Sequence, residues 1–409
     1  MNNHLHLVNT PSSKTLNDNP ELTPKLTSIP DSFTDQVFKG SGEYFLGTNI
    51  KAQRLKPTSA IFSTSAHKPL HLGECPHLTS AEIENMCRQV QNSFRSLNEL
   101  PLKIRSLYGH KIAEQLAIPS VQASIATMIM FETGKIYKDA LTEVIRTKEF
   151  IEDFSRFISE QQTLENFPDK HQVKTLGKGL AVHYSPSNFP INEGVTIFIS
   201  QLLSGNPTLW KPAFSCMGST HCFEQLVLKP ATEAMALEHP EFPTSCFGIL
   251  YASGRDCTPV ISKFVKTVTY VGSEAGKNSI WQLLNETGGT DDRYYAGSTM
   301  NPYIVLPGNE AQIDATVKSL IEASYSNRGE RCTSAGLIFL PRSTAYLYIE
   351  KIIHEIKGFK LGLPWEEGVK ISAPSGAKEK KPRDLARALS RDRRWQHPLD
   401  PSTTSRAQS

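Results

Sequence analysis

Between residues 178 and 306, short apolar runs alternate with amphipathic stretches, and this alternation constrains the fold more than any other feature of the chain. Strands are read at Gly179–Tyr184, Thr208–Trp210, Phe247–Ala252, Thr267–Val271 and Tyr303–Leu306. Helices are read between them at Glu193–Ser204, Met217–Lys229, near Thr258–Phe264, and at Ser273–Asn285. The first of these helices turns Val195, Phe198, Ile199, Leu202 and Leu203 inward and stops at Gly205, where a left-handed residue fits. Strands and helices spaced this way require right-handed crossovers and a mainly parallel sheet. Such sheets bind ligands in the crevice beyond the carboxyl ends of their strands. The predicted class is α/β, with a Rossmann-like, mainly parallel sheet domain.

Four helical patterns precede the sheet. Thr79 or Ser80 caps one that runs to about Leu97; Pro101 opens the next; the others span about Val121–Glu132 and Asp139–Ser159. A short strand is read at 59–63 before them. Residues 1–35, rich in Asn, Ser, Thr and Pro, read as a flexible leader. Residues 369–409 read as a disordered basic tail. They hold ten Lys/Arg against four Asp/Glu, while the other 368 residues hold 34 against 37. The overall charge of +3 therefore belongs to the tail, and the body presents no basic surface for nucleic acid. No apolar run approaches the roughly 18–20 residues that span a membrane. Seven scattered cysteines without a CxxC pair argue against a disulfide framework or a zinc site, and point to a reducing, cytoplasmic compartment.

Cys332 sits on a Gly-containing turn between an amphipathic helix over Glu310–Ser324 and an apolar run, Ala335–Leu340, that reads as a buried strand. Most free cysteines are small buried hydrophobes, so a nucleophile needs partners elsewhere. Three stretches at strand ends offer them. Asn188 lies between Pro186 and Pro190, which fix the turn and can aim its carboxamide at a developing oxyanion. Lys211 ends a strand, where it can reach a ribose or phosphate. Gly272 and Ser273 open a helix whose N-terminus suits a pyrophosphate. Each also has an ordinary use: Asn188 can brace its turn, Lys211 can reach solvent, and Gly272-Ser273 can be a plain cap.

Taken in order, Ser185-Pro-Ser-Asn-Phe-Pro, Gly205-Asn-Pro-Thr-Leu-Trp-Lys-Pro, Val271-Gly-Ser and Asn327-Arg-Gly-Glu-Arg-Cys resemble the motif series of the aldehyde dehydrogenase superfamily. Glu132-Thr-Gly-Lys and Leu361-Gly-Leu-Pro-Trp are similar to further stretches of that family, and the likeness covers roughly residues 60–370. The resemblance implies oxidation of a small-molecule aldehyde with NAD or NADP. Cys332 would form a thiohemiacetal and then a thioester. Asn188 and the Cys332 N–H would form the oxyanion hole. Lys211, Gly272, Ser273 and Ser185 would hold the cofactor. Arg331, beside the thiol, would lower its pKa or meet an anionic substrate. The implied organisation is a dinucleotide-binding domain over 36–300, with candidate oligomerisation strands near 168–183, and an incomplete α/β catalytic domain over 301–368. A homo-oligomer is expected because the family commonly forms dimers.

Two departures qualify this picture. The family's Glu-Leu-Gly-Gly stretch, whose glutamate activates the deacylating water, is matched by Tyr295-Ala-Gly-Ser-Thr-Met-Asn-Pro, which puts Ala296 at the glutamate position. Deacylation would then pass to coenzyme A or to another carboxylate, with Glu286 and Glu330 nearest in sequence. In addition, nothing in 372–409 matches the family's Glu-x-Phe-Gly-Pro segment, so this stretch reads as a foreign or frame-shifted ending. The alternatives are a catalytically inactive fragment that keeps nucleotide binding or an interaction role, and a coenzyme A-acylating dehydrogenase.

Overall fold

The computed structural model describes residues 58–62, 71–164, 176–287, 292–297, 301–308 and 310–372. The expected leader and most of the basic tail, and residues 168–175 of the candidate oligomerisation strands, lie outside them. Residues 181–183 of that stretch belong instead to the middle of the main sheet.

A hairpin, β1 (Thr58–Phe62) and β2 (His71–Pro76), precedes the helices. α1 (Ser80–Asn92) begins at a capping box: Glu82 N–H donates to the Thr79 hydroxyl, and Thr79 N–H donates to the Glu82 carboxylate at 2.9 Å. Its buried residues Ile83, Met86, Cys87 and Val90 follow the helical period. α2 (Phe94–Glu99), α3 (Leu102–Leu116, after Pro101), α4 (Pro119–Thr133) and α5 (Tyr137–Leu164) complete the layer. No single helix among the described residues is long and apolar enough to cross a membrane.

The sheet that follows has the order β5-β4-β3-β6-β7, with every pairing parallel. Its strands are β3 (Ala181–Tyr184), β4 (Thr208–Lys211), β5 (Phe247–Ile249), β6 (Thr267–Val271) and β7 (Asp292–Ala296). The intervening helices are α6 (Asn192–Leu203), α7 (Met217–Phe223), α8 (Lys229–Glu238), α9 (Gly254–Ile261) and α10 (Glu274–Glu286). After α6, Gly205 is left-handed at φ 93°, and its carbonyl accepts from Asn98 Nδ2 at 2.6 Å. The helix expected over Met217–Lys229 runs on to Glu238 through a wide turn at Glu224–Leu228. Pro230 lacks the N–H that would close an ordinary turn on Leu226.

The chain builds outward from β3 to β4 and β5, then returns to β6 on the other side of β3. The switch point, where such sheets open a ligand crevice, therefore lies between β3 and β6. β3 and β4 are buried at every position because helices cover both faces.

A second, smaller core gathers Ile313, Val317, Leu320 and Tyr348 from α11 (Ile313–Tyr325) and α12 (Ala345–Lys357). They pack on a parallel pair, β8 (Asn301–Ile304) and β9 (Ala335–Phe339). The apolar run of β9 was expected to be buried, yet Phe339 is 47% exposed, and Ile304 and Leu306 are 67% and 75% exposed. Helices reach one side of this pair, where Ile338 and Leu340 pack. No described layer covers the other. Residues 361–372 return to the helical layer: Trp365 packs on Phe131 with ring centroids 5.4 Å apart, and the Ser372 hydroxyl donates to the Gly134 carbonyl.

Candidate active site

Three pieces of chain converge on a cavity of about 220 Å³. The first is one face of α5, where Asp139, Thr142, Glu143 and Arg146 recur at helical spacing and line the space with Lys135. The second is the turn into α6, with Phe189, Asn192 and Glu193. The third is the loop that carries Asn327, Arg331, Cys332 and Thr333.

The first two pieces are locked together by charge. Lys135 Nζ and Glu143 Oε2 form an ion pair with both side chains buried. Glu143 Oε1 accepts from the N–H groups of Ile191 and Asn192 at 2.9 and 3.0 Å, so one carboxylate both neutralises a cation and caps α6. The Lys135 ammonium also lies 3.6 Å from the Phe189 ring centroid. Burial pushes the Lys135 pKa down, and Glu143 opposes that shift.

The cysteine loop is held in a conformation it would not adopt alone. Asn327 and Arg328 have φ of 50° and 58°, followed by Gly329 at 70°; for the first two this is a strained, left-handed backbone. A Cβ on Gly329 would meet the Ser324 carbonyl at 2.8 Å. Asn327 N–H donates to Asp139 at 3.1 Å, Arg328 pairs with Glu330 at 2.6 Å and reaches the Thr133 carbonyl, and Asn301 Nδ2 donates to the Cys332 carbonyl at 2.7 Å. Asn188 Nδ2 donates to the Glu330 carbonyl at 2.6 Å. Asn188 is thus tied to the loop that carries Cys332, two residues before the thiol, while Cys332 and not Asn188 lines the cavity.

Of the seven cysteines, Cys332 is the one that is not buried. Its pKa is raised, first by desolvation and next by the Glu193 carboxylate. The expectation that Arg331 lowers it does not hold: Arg331 turns towards Glu322, at 3.6 Å. The two carboxylates nearest in sequence are also spoken for. Glu330 is paired with Arg328, and Glu286 accepts from Gln282 at the exposed end of α10.

The remaining predicted residues cluster at the switch point. Ser185, Lys211 and Gly272-Ser273 follow or end β3, β4 and β6, as the parallel sheet demands. Their polar groups are engaged locally. The Ser185 hydroxyl accepts from Trp210 Nε1 at 2.9 Å. Lys211, which was given solvent as its ordinary use, is buried and donates to the Pro212 carbonyl. The Ser273 hydroxyl accepts from Gly276 N–H at 3.2 Å, an N-cap for α10.

Sequence reasoning passed over Asp139, Glu143, Arg146 and Glu193. A polar stripe at i, i+3, i+4 and i+7 was visible on the fourth helix, but the same stripe serves equally for a solvent face. Glu193 reads in the sequence only as the start of a helix.

The aldehyde dehydrogenase family model matches residues 56–384. The match runs into the stretch read as a foreign ending, as far as residue 384. The chain is 25% identical over 317 residues to an NADP-dependent glyceraldehyde-3-phosphate dehydrogenase of Arabidopsis thaliana, covering 72% of this chain and 58% of that protein. It is 26% identical over 313 residues to a lactaldehyde dehydrogenase of Methanococcus aeolicus, with coverages of 74% and 63%. The chain thus spans less than two thirds of the length of these relatives. Among solved structures, a betaine aldehyde dehydrogenase of Staphylococcus aureus in complex with NAD+ superposes with a TM-score of 0.71 at 14% identity, covering 87% of this chain and 70% of that one. At that identity the likeness speaks for the fold. With four fifths of its length inside the family model, the chain belongs to the aldehyde dehydrogenase family.

Proposed function

We propose that this protein oxidises an aldehyde through a covalent bond to Cys332, with NAD or NADP as hydride acceptor. The observation that carries the reading is the position of Cys332: the one unburied thiol of seven shares a cavity with a charged helix face, on a loop tied to Asn188. The sulfur adds to the aldehyde carbon, and the carbonyl oxygen becomes an oxyanion that the Asn188 amide and nearby N–H groups stabilise. The Asn188 amide has a second N–H besides the one that reaches Glu330.

The dinucleotide fits the crevice between β3 and β6. The Gly272 N–H is held by the Ala296 carbonyl and the Ser273 hydroxyl caps Gly276 N–H, so a pyrophosphate would be met by the remaining N–H groups in the first turn of α10. When bound, the nicotinamide supplies the hydride acceptor that converts the thiohemiacetal to a thioester. Ser185, which accepts from Trp210, and Lys211, which donates to the Pro212 carbonyl, would border the cofactor from the ends of β3 and β4.

The substrate class we favour is an aldehyde that carries an anionic group. Arg146 and Arg331 line the cavity, and Arg146 makes no ion pair among the described residues. Relatives named for glyceraldehyde 3-phosphate and malonate semialdehyde agree with that choice. The test is NAD(P)H formation with NAD, NADP and a panel of anionic and neutral aldehydes, with and without coenzyme A, beside Cys332→Ser. Formation that needs Cys332 and favours anionic aldehydes supports the proposal. Wild type and variant behaving alike would refute it.

A further inference from the structure

The cavity holds three carboxylates, and two are committed to structure. Asp139 accepts from Asn327 N–H, and Glu143 is shared between Lys135 and two backbone N–H groups. The Glu193 carboxylate is the third. It lines the cavity with Cys332, and it makes no hydrogen bond or ion pair among the described residues. A half-buried carboxylate without a hydrogen-bonding partner loses hydration, offset here only by its place in the first turn of α6 and by the Lys135 charge, an arrangement more easily understood where the group has chemical work. At the end of β7, Ala296 offers only a methyl group, and its carbonyl accepts from Gly272 N–H at 3.0 Å.

We propose that Glu193 is the general base that clears the acyl group from Cys332, the task that Ala296 cannot perform. The proposal rests on the covalent mechanism above. Glu193 takes a proton from a water molecule as the water oxygen bonds to the acyl carbon. The carbon–sulfur bond then breaks, the carboxylic acid departs, and the Cys332 thiolate recovers the proton from Glu193. A water molecule has a share of about 30 Å³ in the liquid, so the cavity has room for one beside a small acyl group. Burial and the neighbouring Glu143 push the Glu193 pKa upwards, in the direction that suits a base working near neutrality.

The experiment uses 4-nitrophenyl acetate, which acylates a thiol with no nucleotide or aldehyde present. Nitrophenolate release reports acylation, and intact-protein mass reports acetyl-Cys332. Wild type and Glu193→Gln should both acquire the acetyl group, and in the variant it should persist about 10²–10⁴-fold longer. Glu193→Asp should fall between them. The pH midpoint for alkylation of Cys332 should drop in Glu193→Gln, because a negative charge beside the thiol is gone. An acetyl group that leaves the variant as fast as it leaves the wild type, or that stays on both, overturns the proposal. The two readings fail separately. Aldehyde oxidation that survives Glu193→Gln at full steady-state rate sinks Glu193 alone. Glu193-dependent deacetylation in a protein that never reduces NAD(P) sinks the oxidation reading alone.

Discussion

The inner strand β4 of the five-stranded sheet and the strand β9 are both short, largely apolar runs, yet they meet water very differently. Thr208-Leu-Trp-Lys in β4 is buried to the last residue, lysine included, whereas Ala335-Gly-Leu-Ile-Phe in β9 is half exposed. Composition does not separate the two. The number of covered faces does: helices lie on both sides of β4, and on one described side of β9. The cysteine loop emerges from the thinly covered region and is held in place by the thickly covered one, through Asp139, Thr133 and Asn188. The proposed chemistry thus sits on a seam between a rigid body and a lighter lobe.

The largest effect should come at that seam. Glu143→Ala leaves the Lys135 ammonium buried without its partner and removes the cap on α6, so the protein should lose about 3–5 kcal/mol of stability in denaturant titration. A loss under 1 kcal/mol would mean that the ion pair is not holding the two helices. Next, Leu209→Ala in β4 should cost about 2–5 kcal/mol, as fully buried leucines do; a smaller loss would deny that the sheet is the rigid half.

A third test uses pH. Glu132 accepts from the N–H groups of Gly218 and Ser219 at 2.7 and 2.8 Å, and burial lifts its pKa to about 7. The folded state therefore binds its proton more tightly than the unfolded chain does. The resulting stability is complete below the unfolded pKa of 4.5 and is lost as pH rises to about 7, up to about 3 kcal/mol. Glu132→Gln should lack this loss, so the stability difference between the two proteins should change by that amount across the window. Measuring each against the other cancels His183, whose pKa is lowered by burial to about 4 and whose contribution runs the opposite way. The smallest effect is expected at Phe339→Ser in β9, within about 0.5 kcal/mol of wild type. A loss like that of Leu209→Ala would show that something covers this face in solution.

Much of the sheet was legible because a β-branched or apolar run ended by Gly or Pro looks like little else; Thr267–Val271, ended by Gly272, matches the observed strand to the residue. The cysteine loop could also be read, since a thiol between a helix period and a strand run is an unusual junction. What escaped was everything that depends on pairs distant in sequence. Asp139, Glu143 and Arg146 form a polar stripe, and only the fold says that the stripe faces a cavity and not water. Lys211 looked solvent-bound because lysines usually are, and its burial follows from helices that no local pattern could place over it. Arg331 adjoins Cys332 in sequence, but its charge goes to Glu322 on α11, nine positions earlier in the chain. Glu193 follows directly on a recognisable motif, and its lack of a partner is visible only once every neighbour has been given one.

The central claim is that Cys332, seated in this cavity, forms the covalent intermediate. Its most direct test is peptide mass spectrometry after the protein is mixed with NAD(P)+ and an anionic aldehyde and quenched within one turnover. The account predicts an acyl mass on the peptide that contains Cys332 and on no other cysteine. An acyl mass on any of the six buried thiols, or a reduced nucleotide with Cys332 still alkylatable throughout, would contradict it.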